Sequence, residues 1–146
     1  MKIAILGGTG SFGRALAGRL AAVGDDEIVL GSRDAGRAQE AADELGGGRI
    51  SGATNEQAVG DAELVVLAVK ADAALDTVRE VAAALGETPL LCVATAIQFR
   101  KGVGALPDPE ATSLAERVQE LVAGPVVAGL LSPPPISTRR RPTRMR

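Results

Sequence analysis

The chain contains no histidine, no tyrosine and no tryptophan, and its cysteine count is one. Without histidine or tyrosine, no mechanism that needs an imidazole base or a phenolic acid can run on this chain's own side chains. A zinc site would have to be built from carboxylates and one thiol, so no metal centre is expected. Cys92 has no partner for an internal disulfide, and its setting, Leu90-Leu91-Cys92-Val93, reads as a buried, unreactive thiol. Long apolar runs are missing as well. The first run, from Ile3, is cut by Gly7 after four residues, too short for a signal-peptide core or a membrane span. These absences describe a soluble, cytoplasmic chain with no membrane contact.

What is present fits one domain, because 146 residues with 46% hydrophobic content bury an ordinary core but not two. The net charge of -2 conceals an uneven distribution. Residues 1–128 hold eleven Lys and Arg against eighteen Asp and Glu, a net -7, whereas residues 129–146 hold five arginines and no acid. Four of the eight prolines also lie in that last stretch, which has no apolar period. We therefore expect a globular domain over 1–128 and a disordered or aberrant Pro/Arg-rich tail over 129–146. The tail reads as an aberrant terminus, such as translation past a frameshift, as an ordinary solvated tail, or as a basic arm. Nucleic acid is the least favoured partner of the three readings.

Within 1–128, apolar runs of strand length alternate with helical patterns. Strands are expected at Lys2 to Leu6, Glu27 to Leu30, Arg49 to Gly52, Glu63 to Val69, Pro89 to Ala94 and from Pro125 to Ala128. Helices are expected through Phe12, Leu16 and Leu20, over Ala35 to Leu45 up to Gly46-Gly47-Gly48, around Asn55 to Val59, over Asp72 to Leu85 and over Thr112 to Val122. Uniformly apolar strands that alternate with helices imply a parallel sheet covered on both faces. The expected fold class is α/β, a doubly wound, Rossmann-like parallel sheet in three αβα layers, with an irregular C-terminal tail.

Gly8-Thr9-Gly10-Ser11-Phe12-Gly13 forms a G-x-G-x-x-G pattern that follows the first strand and opens the first helix. In that setting the first glycine makes the tight turn, the second lets the backbone approach a pyrophosphate, and the third lets helix and strand pack closely. The phosphates would rest on the free amides and positive end of the helix. Gly7 adds an overlapping G-x-x-G-x-x-G, so the assignment of roles to individual glycines stays open. The second strand runs into Gly31-Ser32-Arg33-Asp34 with no acid where it ends. A hydroxyl beside a guanidinium suits a 2′-phosphate, which favours NADP over NAD. The alternative makes Ser32 a helix N-cap and Arg33 a solvated residue paired with Asp34. Val69 and Lys70, at the end of the fourth strand, are further candidate cofactor contacts; Lys70 either meets a ribose or phosphate or is a surface lysine.

Gly7-Gly8-Thr9-Gly10-x-x-Gly13, then Gly31-Ser32-Arg33, then Thr54-Asn55-Glu56 together resemble the NADPH-dependent coenzyme F-420 reductase family over about residues 1–128. The resemblance implies hydride transfer between NADP(H) and the deazaflavin coenzyme F-420. It also implies that Ser32 and Arg33 bind the 2′-phosphate and Thr9 to Gly13 the pyrophosphate. Such transfer between stacked rings needs positioning more than a side-chain acid or base, so no catalytic residue is assigned. The chain departs from the family at Lys70-Ala71-Asp72-Ala73, where a Pro-Trp-x-His-like stretch is usual, and at Ala94-Thr95-Ala96-Ile97-Gln98, where proline is usual. The family portion that completes the deazaflavin pocket and the homodimer gives way to the tail. Two alternatives follow, a non-catalytic NADP-binding module and a truncated remnant. A short-chain dehydrogenase, which shares a G-G-T-G-x-x-G turn, is disfavoured because its Tyr-x-x-x-Lys pair needs a tyrosine.

Overall fold

The computed structural model describes residues 1–96, 98–102, 104–106 and 112–129. Its main sheet is formed by β1 (Lys2–Leu6), β2 (Glu27–Ser32), β3 (Ile50–Thr54), β4 (Leu64–Leu67), β5 (Leu90–Cys92) and a final strand, Val126–Ala128. All five pairings are parallel, and the final strand lies beside β5. With β3 at the far edge, then β2, β1, β4 and β5, this is the doubly wound order that reverses direction between β1 and β4. Five helices connect the strands: α1 (Ser11–Val23), α2 (Ala35–Leu45), α3 (Asn55–Gly60), α4 (Ala71–Leu85) and α5 (Leu114–Gln119).

Alternation along the strands divides the core into two layers. On β1, Ala4 and Leu6 pack with Val65, Leu67, Val78 and Val81 beneath α3 to α5, while Ile3 and Ile5 pack with Ile28, Leu30 and Ala41 beneath α1 and α2. Both sides of these strands are therefore dry, which is why they read as continuous apolar runs rather than as alternating ones. Helix ends follow local chemistry. Thr54 and Ser113 each open a capping box, with Gln57 and Glu116 returning the bond, and Gly46 closes α2 at φ 67°.

The expected elements all form, with ends displaced by a few residues: β4 stops at Leu67 rather than Val69, and α4 begins at Ala71. A short antiparallel hairpin, β6 (Gln98–Arg100) and β7 (Gly104–Leu106), was not expected. Its strands are too short to show a period, and its turn contains Gly102 at φ 83°. With these two in place, the final strand of the main sheet is β8. The tail was expected over 129–146; Gly129 still donates its amide to the Cys92 carbonyl at 3.0 Å, and 130–146 lie outside the described residues. No helix among the described residues is long and apolar enough to cross a membrane.

Four outward amides of the edge strands have an acceptor among the described residues. On β3 the side away from β2 presents the amides of Ile50, Gly52 and Thr54. These donate to the Gly47 carbonyl (3.0 Å), Gln39 Oε1 (3.1 Å) and Gln57 Oε1 (3.3 Å) respectively. At the other edge, the Val126 amide of β8 donates to Gln119 Oε1 at 2.9 Å.

The contact that seats α2 on β3 leaves no room for a side chain. A Cβ on Gly52 would lie 2.2 Å from the Gln39 backbone nitrogen. Gly52→Ala should therefore destabilise the fold by about 1–3 kcal/mol through forced backbone movement, measured as a lower midpoint in urea unfolding. An unchanged midpoint would show that α2 does not sit this close.

Candidate functional site

The reversal of strand order leaves a crevice beyond the carboxyl ends of β1 and β4, where open parallel sheets place their ligands. The chain turns there from β1 into α1. Gly7 adopts φ 80°, a conformation open to glycine, and a Cβ on it would lie 2.8 Å from the Ala68 carbonyl oxygen. The turn is closed by the Gly10 amide donating to the Gly7 carbonyl (3.0 Å) and the Gly8 amide donating to the Gly31 carbonyl of β2 (3.1 Å). The tight-turn role therefore falls to Gly7, ahead of the G-x-G-x-x-G pattern, and not to Gly8. Gly8 instead lies against β2, where a Cβ would come within 2.8 Å of Leu30 Cβ.

Gly13 and Gly10 differ in what surrounds them. A Cβ on Gly13 would lie 2.6 Å from the Gly7 carbonyl oxygen and 2.8 Å from Gly8 Cα, so the first turn of α1 rests directly on the loop backbone. A Cβ on Gly10 would meet only the Gly7 carbonyl oxygen, at 3.3 Å. Gly10 is the N-cap of α1, makes no side-chain cap, and no acid occupies the first turn. The start of α1 therefore has neither a side-chain cap nor an acid against its positive end, the kind of helix start that can hold an anion.

A cleft of about 900 Å³ opens at this point. Gly10, Ser11 and Phe12 line one wall, Val69 and Lys70 another, and Val93 to Ala96 the floor beyond β5. Lys70 is exposed, caps α4 through its backbone alone, and makes no ion pair among the described residues. The cleft continues along α4 and α5 past Asp76, Arg79 and Arg117, with Arg79 bonded to Asp76 at 2.7 Å. These positions are not legible as site residues in the sequence, since packing alone brings their helix faces to the cleft.

Ser32 and Arg33 stand apart from that cleft, at the end of β2. Ser32 is half-buried and its Oγ accepts from the Asp34 amide at 3.3 Å. The N-cap of α2 is Asp34, whose carboxylate accepts from the Arg37 amide at 3.1 Å, so the reading of Ser32 as N-cap is corrected. Arg33 is exposed and makes no ion pair among the described residues, Asp34 included. The first acid after β2 is thus occupied by helix capping, and the residue between it and the strand is an exposed arginine. Cys92 is 2% exposed; burial pushes its thiol pKa up, and its Sγ–H donates to the Ala94 carbonyl at 3.6 Å.

Residues 2–95 match the family model described as NADP oxidoreductase, coenzyme F420-dependent. The chain belongs to this family. An F420-dependent NADP reductase from Methanothermobacter marburgensis is 43% identical over 94 residues, covering 58% of this chain and 40% of the relative. One of the same name from Methanocaldococcus jannaschii is 31% identical over 134 residues, covering 84% of this chain and 58% of the relative. A crystal structure provisionally assigned as an F420-dependent NADP-reductase, from Arthrobacter sp. FB24, superposes with a TM-score of 0.74 at 29% identity. That superposition covers 89% of this chain and 62% of the other. The chain thus spans less than two thirds of the length of each of these family members.

The contrast between the two glycines gives a direct test of the turn. Gly13→Ala should lower stability by about 1–3 kcal/mol, because the loop backbone cannot yield to a Cβ at 2.6 Å. Gly10→Ala should stay within about 1 kcal/mol of the parent, the cost of a poorer cap. Thermal unfolding of both variants checks the ordering, and equal losses would contradict the placement of α1 on the turn.

Proposed function

We propose that this chain binds NADP(H) across the glycine turn and takes part in hydride transfer between NADP(H) and the deazaflavin coenzyme F-420. The observation that carries the cofactor assignment is the uncapped start of α1 above Gly7–Gly13, next to a β2 strand that ends in Ser32-Arg33 while Asp34 is held by α2. In this reading the segment Thr9 to Gly13 holds the pyrophosphate through its free amides, the Gly10 amide being kept by the Gly7 carbonyl. Ser32 and Arg33 take the 2′-phosphate, with Arg33 donating charge-assisted bonds. Gly8 keeps the turn against β2.

Val69 and Lys70 line the path from the pyrophosphate towards Val93, Ala94 and Thr95, where a nicotinamide ring would lie. When bound, the nicotinamide and deazaflavin rings supply the hydride chemistry themselves. The chain's part is to orient one ring and to keep water from its face. That division of labour suits a chain without histidine or tyrosine. Family membership supports the deazaflavin as the second substrate, since the relatives' names state dependence on F420 and NADP. A cytoplasmic location and a homodimer belong to the same reading.

Titration of nicotinamide emission with NADPH and NADH tests it. The expected result is tight NADPH binding and much weaker NADH binding. Arg33→Ala should reduce NADPH affinity by about 1.5–3 kcal/mol and leave NADH nearly unchanged, as loss of a charged hydrogen bond predicts. Equal losses for both nucleotides would remove Arg33 from the 2′-phosphate site. Gly10→Val should abolish binding of either nucleotide by filling the space left for the pyrophosphate. NADPH oxidation by F-420, followed through deazaflavin absorbance, then separates an enzyme from a binding module.

A further inference from the structure

Three cations line the cleft among the described residues: Lys70 at the start of α4, Arg79 further along the same helix, and Arg117 on α5. Arg79 is bonded to Asp76 at 2.7 Å, and Arg117 is likewise engaged. Lys70 is exposed and has no ion pair among the described residues, although Asp72 and Asp76 line the same wall. Its position also sets it apart from the pyrophosphate turn. Val69 is the residue packed against that turn, since a Cβ on Gly7 would lie 2.9 Å from Val69 Cγ1. Lys70 comes next, beyond the end of β4, and β4 lies between β1 and β5 in the sheet. The lysine therefore stands between the turn and the floor formed by Val93 to Ala96, beside the place given above to the nicotinamide.

We propose that Lys70 is a catalytic residue of the hydride transfer, its ammonium placed against the pyrimidine edge of the deazaflavin; this rests on the function proposed above. In the transfer a C–H bond breaks at C4 of the reduced nicotinamide and a C–H bond forms at C5 of the deazaflavin, the electron pair passing with the hydrogen. The nicotinamide becomes cationic. The pair displaced within the deazaflavin settles on N1 and the C2 carbonyl oxygen of the pyrimidine edge, which then takes a proton from water. Negative charge thus grows on that edge as the bond forms. A cation fixed beside it stabilises the transition state more than the starting ring, which is the condition for lowering the barrier. An ammonium on a flexible stem suits a charge that develops at one edge of a ring. In a chain without histidine or tyrosine, this lysine supplies electrostatic help where no side-chain acid of the usual kind is present.

Lys70→Gln removes the charge at similar length, and Lys70→Arg restores it. The first probe is NADPH, followed by nicotinamide emission. The second is 5-deazariboflavin, which carries no phosphate and is neutral when oxidised, so that its oxidised and reduced forms report charge on the ring alone. Lys70→Gln should lower the preference for the reduced over the oxidised ring about fivefold and slow single-turnover reduction of F-420 by NADPH about tenfold. NADPH affinity should stay at the parent's value, and Lys70→Arg should keep most of both the preference and the rate. A glutamine variant with the parent's preference and rate would overturn the inference. So would a loss of NADPH affinity that matches the loss of rate, which would place the ammonium on the dinucleotide instead. A parent that binds no NADPH would overturn the nucleotide reading. One that binds NADPH but neither form of the deazaflavin would overturn the acceptor, and this inference with it, while leaving the nucleotide site standing.

Discussion

The carboxyl edge of this sheet depends on one constraint, the approach of backbone to backbone between the first turn of α1 and the loop that precedes it. Gly13 sits where a Cβ would lie 2.6 Å from the Gly7 carbonyl oxygen, and Gly7 itself leaves no space below the Ala68 carbonyl. Side chains are excluded from both surfaces, so the helix starts as close to the sheet as covalent geometry allows. Its unpaired amides and positive end are thereby aimed into the crevice between β1 and β4. The placement of Val69 and Lys70 opposite, and of Ser32 and Arg33 to one side, follows from strands paired in register with β1.

Charge is distributed to match. In a parallel sheet every strand starts at the same edge, and at that amino edge opposite charges are paired: the Met1 ammonium with Asp26, Lys2 with Asp61, and Arg49 with Asp25. At the carboxyl edge Arg33 and Lys70 have no ion pair among the described residues. On a chain that is acidic as a whole, these two cations are available to an anion in the cofactor reading proposed above. Exposed ion pairs contribute little to stability, and the pairing matters here for where it leaves charge uncompensated.

Much of this was legible in the sequence for a physical reason. Strands buried on both faces must be apolar throughout, as Ile3 to Leu6 and Val65 to Leu67 are, and the glycine run from Gly46 marks where α2 stops. The glycine roles were not legible, because Gly7, Gly8, Gly10 and Gly13 satisfy two overlapping patterns and only the backbone torsion at Gly7 decides between them. The hairpin at Gln98 to Leu106 was missed because three-residue strands carry no period. Nor could spacing show that the carboxylate of Asp34 is bonded to α2, or that Asn55 folds its amide beneath Gly31. Both depend on contacts between segments, which composition and periodicity do not encode.

The glutamines at the two margins of the sheet have a consequence for how the molecule coexists with its neighbours. An unpaired edge strand is a template on which another chain can add a strand and begin to aggregate. On β3, Gln39, Gln57 and the Gly47 carbonyl take the outward amides in turn, and on β8 Gln119 takes that of Val126. An incoming strand would have to displace acceptors already in place. Because these stoppers are neutral carboxamides and a carbonyl, the protection they give does not fade with acid or with salt, as a guard of charged side chains would. At these four positions the guard against strand addition is therefore uncharged, supplied by three helix glutamines and one loop carbonyl.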